Sequence, residues 1–161
     1  VANEGLFVAI VSENIAADQI ENLRAGLKEI GLELIGSSLS GVIEKIKQLV
    51  LSKARNEVDE KEIKLKLSSY LARHLNREYS YLSNLFSSVE GRTIENYFIE
   101  QRIEKVKELL VYNEMSLTEI SYNMEYSSVA HLSSQFKKIT GLTPSHFKKV
   151  GSMKRKLLDK V

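Results

Sequence analysis

The sequence predicts a mainly α fold. A seven-helix domain holds two helix-turn-helix units joined by a long linker helix, and a small βαβ segment precedes it. Three observations predict this. Apolar residues recur at three- and four-residue spacing through most of 39–150, the period of one helix face. The stretch 116–136, SLTEISYNMEYSSVAHLSSQF, sets two such patterns on either side of a tight turn. Its Leu-Ser-x-x-Phe also occurs upstream. YSYLSNLF at 79–86 and VAHLSSQF at 129–136 put Leu82 and Phe86, then Leu132 and Phe136, at matching positions of an imperfect repeat.

Each element has its own signal. Gly5 to Ser12 is apolar and β-rich and predicts a strand. Ser12 or Asn14 can cap a helix over 15–30, with Ile20, Leu23, Leu27 and Ile30 along one face and Gly31 as its stop. Leu32 to Ile35 predicts a second strand, and Gly36 to Gly41 a linker. A helix over 42–54 turns Ile43, Ile46, Leu49 and Val50 inward, and polar 56–62 reads as loop. The first helix-turn-helix, about 66–89, has helices over 66–75 and 79–89 around Asn76-Arg77-Glu78. Leu67, Tyr70 and Leu71 face inward from one helix, and Leu82, Leu85 and Phe86 from the other. Gly91 ends this unit, and Thr93 caps a linker helix over 94–112 with Ile99, Ile103, Val106 and Leu110 inward. The second unit, about 116–139, has Leu117, Ile120, Ser121 and Met124 on one helix face and Val129, Leu132 and Phe136 on the next. Ser127 or Ser128 can cap that second helix. Pro144 opens a last short helix to about Val150, and 151–161 form a basic tail.

Composition narrows the function classes. The 161 residues suit one domain or one with a small attachment, and 43% hydrophobic content suffices for a core. The chain has no Cys, hence no disulfide framework, thiolate metal site or cysteine nucleophile, which favours a reducing compartment. No apolar run approaches the ~20 residues of a membrane span, and no signal-peptide pattern is legible. A chain that begins at Val1 is expected to be a fragment or a processed form.

The net charge of +2 is unevenly placed: −4 over 1–38, +3 over 39–150 and +3 over 151–161. From Tyr126 to Val150 there are four lysines and no acid. A phosphate-facing surface needs that asymmetry, and a solvated basic face would share it.

YLSNLFSSVEGRTIENYFIEQRIEKVKELL, followed by SLTEISYNMEYSSVAHLSSQFKKITGLTPSHFKKV, resembles the AraC/XylS family of bacterial transcription regulators. The likeness spans roughly 39–150, about two-thirds of the chain, with its motifs in order and spacing. It implies seven helices, two DNA-reading helix-turn-helix subdomains, and cytoplasmic action on a promoter, more often activation than repression. RNA polymerase then becomes a candidate partner.

The chain departs from the family pattern at four places. Glu125 and Asn76 stand where the turns usually carry Gly, and Asn84 and Ser134 where the groove face often carries Arg. The front segment resembles half of a ferredoxin-like or heavy-metal-associated domain, but lacks the Cys pair that would assign metal binding.

By position in the family motif, Ser80, Tyr81, Ser83 and Asn84 on the first recognition helix face a major groove. Val129, Ala130, His131, Ser133 and Ser134 do so on the second. Asn can pair bidentately with adenine, and Val and Ala can touch thymine methyls. The alternative for each is solvent or phosphate contact. Lys137, Lys138, Lys148 and Lys149, with the recognition-helix N-termini, are the phosphate candidates. The three histidines are dispersed, and no G-x-S-x-G, H-E-x-x-H or phosphate-binding glycine loop occurs. No catalytic residue, metal or cofactor is therefore assigned.

The reading is a sequence-specific double-stranded DNA-binding regulator. A linker helix about 28 Å long, at ~1.5 Å per residue, can set two recognition helices near one DNA turn apart, ~34 Å. The segment 1–38 is expected to be a truncated regulatory or oligomerisation domain that supports a homodimer, because its strands bury little surface alone. The competing class is a protein-interaction module that holds nucleic acid only weakly.

Overall fold

A computed structural model describes residues 17–31 and 37–158, with side chains described for 18–31 and 39–151. Nine helices follow one another among the described residues: α1 (Ala17–Glu29), α2 (Ser37–Ala54), α3 (Glu60–Ile63), α4 (Leu67–Leu75), α5 (Tyr79–Glu90), α6 (Ile94–Tyr112), α7 (Leu117–Asn123), α8 (Val129–Thr140) and α9 (Pro144–Leu158). Helices α4–α5 and α7–α8 are the two helix-turn-helix units, and α6 joins them.

The helices pack around two cores. In the first, Ile43, Ile46 and Val50 of α2 meet Tyr70 and Leu71 of α4, Leu82 and Phe86 of α5, and Ile94 of α6. In the second, Ile103, Val106 and Leu110 of α6 meet Ile120, Met124, Tyr126, Leu132 and Phe136. Linker helix α6 thus gives its N-terminal turn to one core and its remainder to the other. Leu82, Phe86, Leu132 and Phe136 are fully buried. Each such side chain contributes about 1.5–3 kcal/mol of transfer free energy.

The repeat runs further than Leu-Ser-x-x-Phe. Helices α5 and α8 both have 12 residues, with Leu fourth and Phe eighth. Each ends at a left-handed glycine, Gly91 (φ 67°) or Gly141 (φ 78°). An aromatic ring eleven positions after each phenylalanine then closes over it. Phe86 and Tyr97 centroids are 5.7 Å apart, and Phe136 and Phe147 are 5.5 Å apart. The first pair is tilted and the second edge-to-face, and aromatic pairing adds to simple burial. Thr93 and Thr143 occupy equivalent cap positions, accepting from the backbone N–H of Asn96 and His146 at 3.1 and 3.3 Å.

Several expectations need correction. The presumed linker 36–41 is helical from Ser37, because burial of Ile43, Ile46, Val50 and Ala54 carries α2 through its Gly and Ser start. The presumed loop 56–62 contains the start of α3, whose end is held from outside. The Lys53 ammonium donates to the carbonyls of Glu62 at 2.5 Å and Ile63 at 3.1 Å. The last helix does not stop near Val150 but reaches Leu158, so most of the basic tail is helical. Ile20 and Leu23 of α1 are exposed, as is Ile30 just past its end, so most of that apolar row is not covered by described residues. The strands expected at Gly5–Ser12 and Leu32–Ile35 lie outside the described residues.

Candidate nucleic-acid interface

The second unit starts with a reciprocal cap. The Ser116 hydroxyl accepts from the Glu119 N–H at 3.2 Å, and the Glu119 carboxylate accepts from the Ser116 N–H at 2.6 Å. These bonds hold the Glu119 carboxyl below its ordinary range. Ser128 caps α8, accepting from the His131 N–H at 3.0 Å. Ser127 Oγ lies 3.0 Å from His131 Nδ1, and the His131 ring meets Tyr126 edge-on at 5.4 Å. His131 is therefore exposed yet tied into the turn, rather than reaching freely outward.

The turn itself carries strain. Glu125 adopts φ 53°, the left-handed region that a side chain with Cβ disfavours. Asn76 takes the same region in the first turn at φ 48°, and asparagine tolerates it far better. The sequence departures from glycine thus keep the glycine-like backbone.

Ser80, Tyr81 and Asn84 are exposed on α5, and Ser83 is half-buried. Ala130, His131 and Ser134 are exposed on α8, while Val129 and Ser133 are half-buried. Each unit therefore shows a face of small and polar groups opposite its Leu/Phe face. Asn84 has its backbone carbonyl taken by the Ser88 hydroxyl, leaving its side-chain amide outside that bond. Lys137, Lys138 and Lys149 are exposed and Lys148 is half-buried. The first two sit in the last turn of α8 and the others on α9.

Sequence reasoning missed Arg77. This residue lies in the first turn, with its guanidinium 5.4 Å from the Tyr81 ring centroid. The signal was present, a cation just before the second helix of the unit, but its stacking on exposed Tyr81 depends on the turn geometry. The N-terminus of α5 also has Glu78 at its cap, whereas α8 has neutral Ser128.

Between the two units lies an open cleft of about 170 Å³, lined by Lys53, Asn56, Phe98, Arg102, Met124 and Glu125 together with Ile63, Leu65 and Leu67. Burial lowers the Lys53 and Arg102 pKa values, and the nearby Glu125 carboxylate acts in the opposite direction on both. Among the described residues no group of three or more His, Cys, Asp or Glu could hold a metal ion.

Residues 71–149 match the family model described as a helix-turn-helix domain. The C-terminal domain of AraT, a response regulator from Geobacillus stearothermophilus, superposes with a TM-score of 0.60 at 26% identity, over 71% of this chain and 88% of that one. Residues 71–149 form a helix-turn-helix domain. Among curated relatives, the Msm operon regulatory protein of Streptococcus mutans is 27% identical over 143 residues, 86% of this chain and 49% of its own. An HTH-type transcriptional regulator in the cgkA 5' region of Pseudoalteromonas carrageenovora is 37% identical over 73 residues, covering 45% of this chain and 43% of that protein. The chain thus spans about half the length of these two curated relatives.

Proposed function

We propose that this chain is a sequence-specific, double-stranded DNA-binding transcription regulator in which α5 and α8 enter two successive major grooves. The observation that carries the reading is the duplicated architecture. Two equivalent helix-turn-helix units, each with an exposed polar face on its second helix, are held on one 19-residue helix. That helix is about 28 Å long at ~1.5 Å per residue, close to the ~34 Å of a DNA turn. The operon-regulator relatives favour a promoter as the target.

In this reading Ser80, Tyr81, Ser83 and Asn84 contact bases in one groove. Val129, Ala130, His131, Ser133 and Ser134 do so in the next. Lys137, Lys138, Lys148 and Lys149 contact phosphates, and Arg77 joins them at the edge of the first groove. Residues 39–150 are the DNA-binding domain and 1–38 a regulatory or self-associating segment. The chain acts in the cytoplasm, on RNA polymerase recruitment, as an activator rather than a repressor. Among the described residues no helix is long and apolar enough to cross a membrane.

Fluorescence anisotropy against a selected promoter duplex and a random one tests the reading. Preference for the promoter at about 0.15 M salt, by the ~10³-fold or more of specific binders, is expected. Equal affinity for both would leave only non-specific binding.

A further inference from the structure

Two residues from outside the second helix-turn-helix grip its turn. The Arg102 guanidinium of α6 donates to the Met124 carbonyl. The same group stacks on the Tyr126 ring, 4.1 Å from its centroid, and lies 5.5 Å from that of Phe98. The Asn56 side-chain amide, just past α2, donates to the Asn123 carbonyl. Asn56 itself sits at φ 57°, and its neighbour Arg55 makes a two-pronged pair with Glu108 of α6 at 2.9 and 2.8 Å. The grip passes onward to α8, because the Tyr126 hydroxyl donates to Gln135 Oε1 at 2.8 Å.

Carbonyls that follow a helix are unsatisfied by the helix itself and need outside donors. Here one donor, Arg102, comes from the linker helix and the other, Asn56, from just past α2, which packs in the first core. A planar guanidinium can bond a carbonyl and stack on a ring at once, which an ammonium cannot match. We propose that Arg102 and Asn56 are positioning residues: they fix the turn of the second unit, and hence the angle of α8, against the first unit, so that the pair sets which spacing of two DNA half-sites is read. This inference rests on the two-groove reading above.

Spacing is a demanding readout. One inserted base pair moves a half-site by about 3.4 Å along the axis. It also rotates the half-site by roughly a tenth of a turn. A rigid pair of recognition helices cannot follow both changes, and a loosened pair can.

The test uses the full 161-residue chain. Fluorescein-labelled duplexes carry the sequence selected by that chain from random DNA, with the gap between boxes shortened or lengthened by one base pair. The original chain should prefer the selected gap by roughly tenfold, the order of one mismatched base pair. Arg102→Met and Asn56→Gly should cut that preference to about threefold or less, a loss of half or more of the same discrimination. Glycine at 56 keeps the left-handed backbone and removes only the amide. Arg102→Lys should restore little, since it cannot bond and stack together.

Circular dichroism melts identify any variant that fails to fold, and Asn56→Gly carries the test if Arg102→Met does so. Unchanged spacing preference in a folded Asn56→Gly or Arg102→Met variant overturns the clamp while leaving the two-groove reading intact. Selection of a single box by the original chain would overturn both.

Discussion

Glu125 offers the sharpest test of local energetics. Its backbone is left-handed at φ 53°, and its side chain is exposed. Two replacements divide its contributions. Glu125→Ala removes the carboxylate and keeps the strained backbone. Glu125→Gly removes both. The left-handed conformation costs a residue with Cβ about 1–2 kcal/mol. Glycine relieves that cost but gains unfolded-state freedom, about 0.4–1 kcal/mol against it. The glycine variant should therefore be more stable than the alanine variant by about 0.5–1 kcal/mol, from the same two principles.

Both variants lose the through-space attraction of Glu125 for Lys53 and Arg102. An exposed charge contributes only ~0–1 kcal/mol in this way, and the loss cancels in the comparison. At an ordinary exposed helix position the order is the reverse, with alanine ahead by roughly 0.5–1 kcal/mol. Urea denaturation at equal m-values reads the difference from the midpoints. An alanine variant as stable as the glycine variant, or more so, would refute the left-handed turn.

Three further outcomes are expected. Replacing Lys137 and Lys138 by Ala should flatten the slope of log affinity against log salt, near −5 for about six phosphates, by roughly one to two, and leave base preference unchanged. An unchanged slope returns both lysines to the solvated face. Asn84→Ala should relax preference at one adenine of the first half-site, worth roughly 1–3 kcal/mol of discrimination, with little change in non-specific affinity. Selection profiles identical at every position would mean that Asn84 reads phosphate or nothing. Hydrogen bonding to Arg55 holds the Glu108 carboxyl below its usual value. A carboxyl lowered on folding adds stability that is complete above its unfolded value, about 4.3, and is lost as pH falls through the folded one. Acid titration of stability should lose that component in Glu108→Gln, and an identical pH profile would deny the pair.

The two helix-turn-helix units were legible because their cores are local. Leu82 and Phe86, or Leu132 and Phe136, lie four apart, and the period of a helix face finds them without tertiary information. The caps at Thr93 and Gly91, and the choice of Ser127 or Ser128, were legible for the same reason: each acts within a turn of its own helix. The missed features depend on residues far apart in sequence. Periodicity cannot show that the Lys53 ammonium secures the end of α3, so a four-residue helix read as loop. Nor can it show Arg102 crossing to the second turn, 22 positions away. The α2 start was misread because Gly and Ser mark linkers on average, whereas here the buried row from Ile43 onward decides. At the candidate site Ser80, Tyr81, Asn84, Ala130 and Ser134 are exposed and Ser83, Val129 and Ser133 half-buried, a gradation that helix periodicity alone does not supply. The contacts of His131 with Ser127 and Tyr126 were not legible, because they depend on how the turn closes.

The central claim is that α5 and α8 read two neighbouring grooves together. Repeated selection of bound duplexes from a random pool, followed by sequencing, tests it most directly. The expected result is two conserved boxes about 10–10.5 base pairs apart, centre to centre, each richer in A·T than arginine-bearing recognition helices would choose. Enrichment of a single box, or of no sequence at all, would contradict the claim.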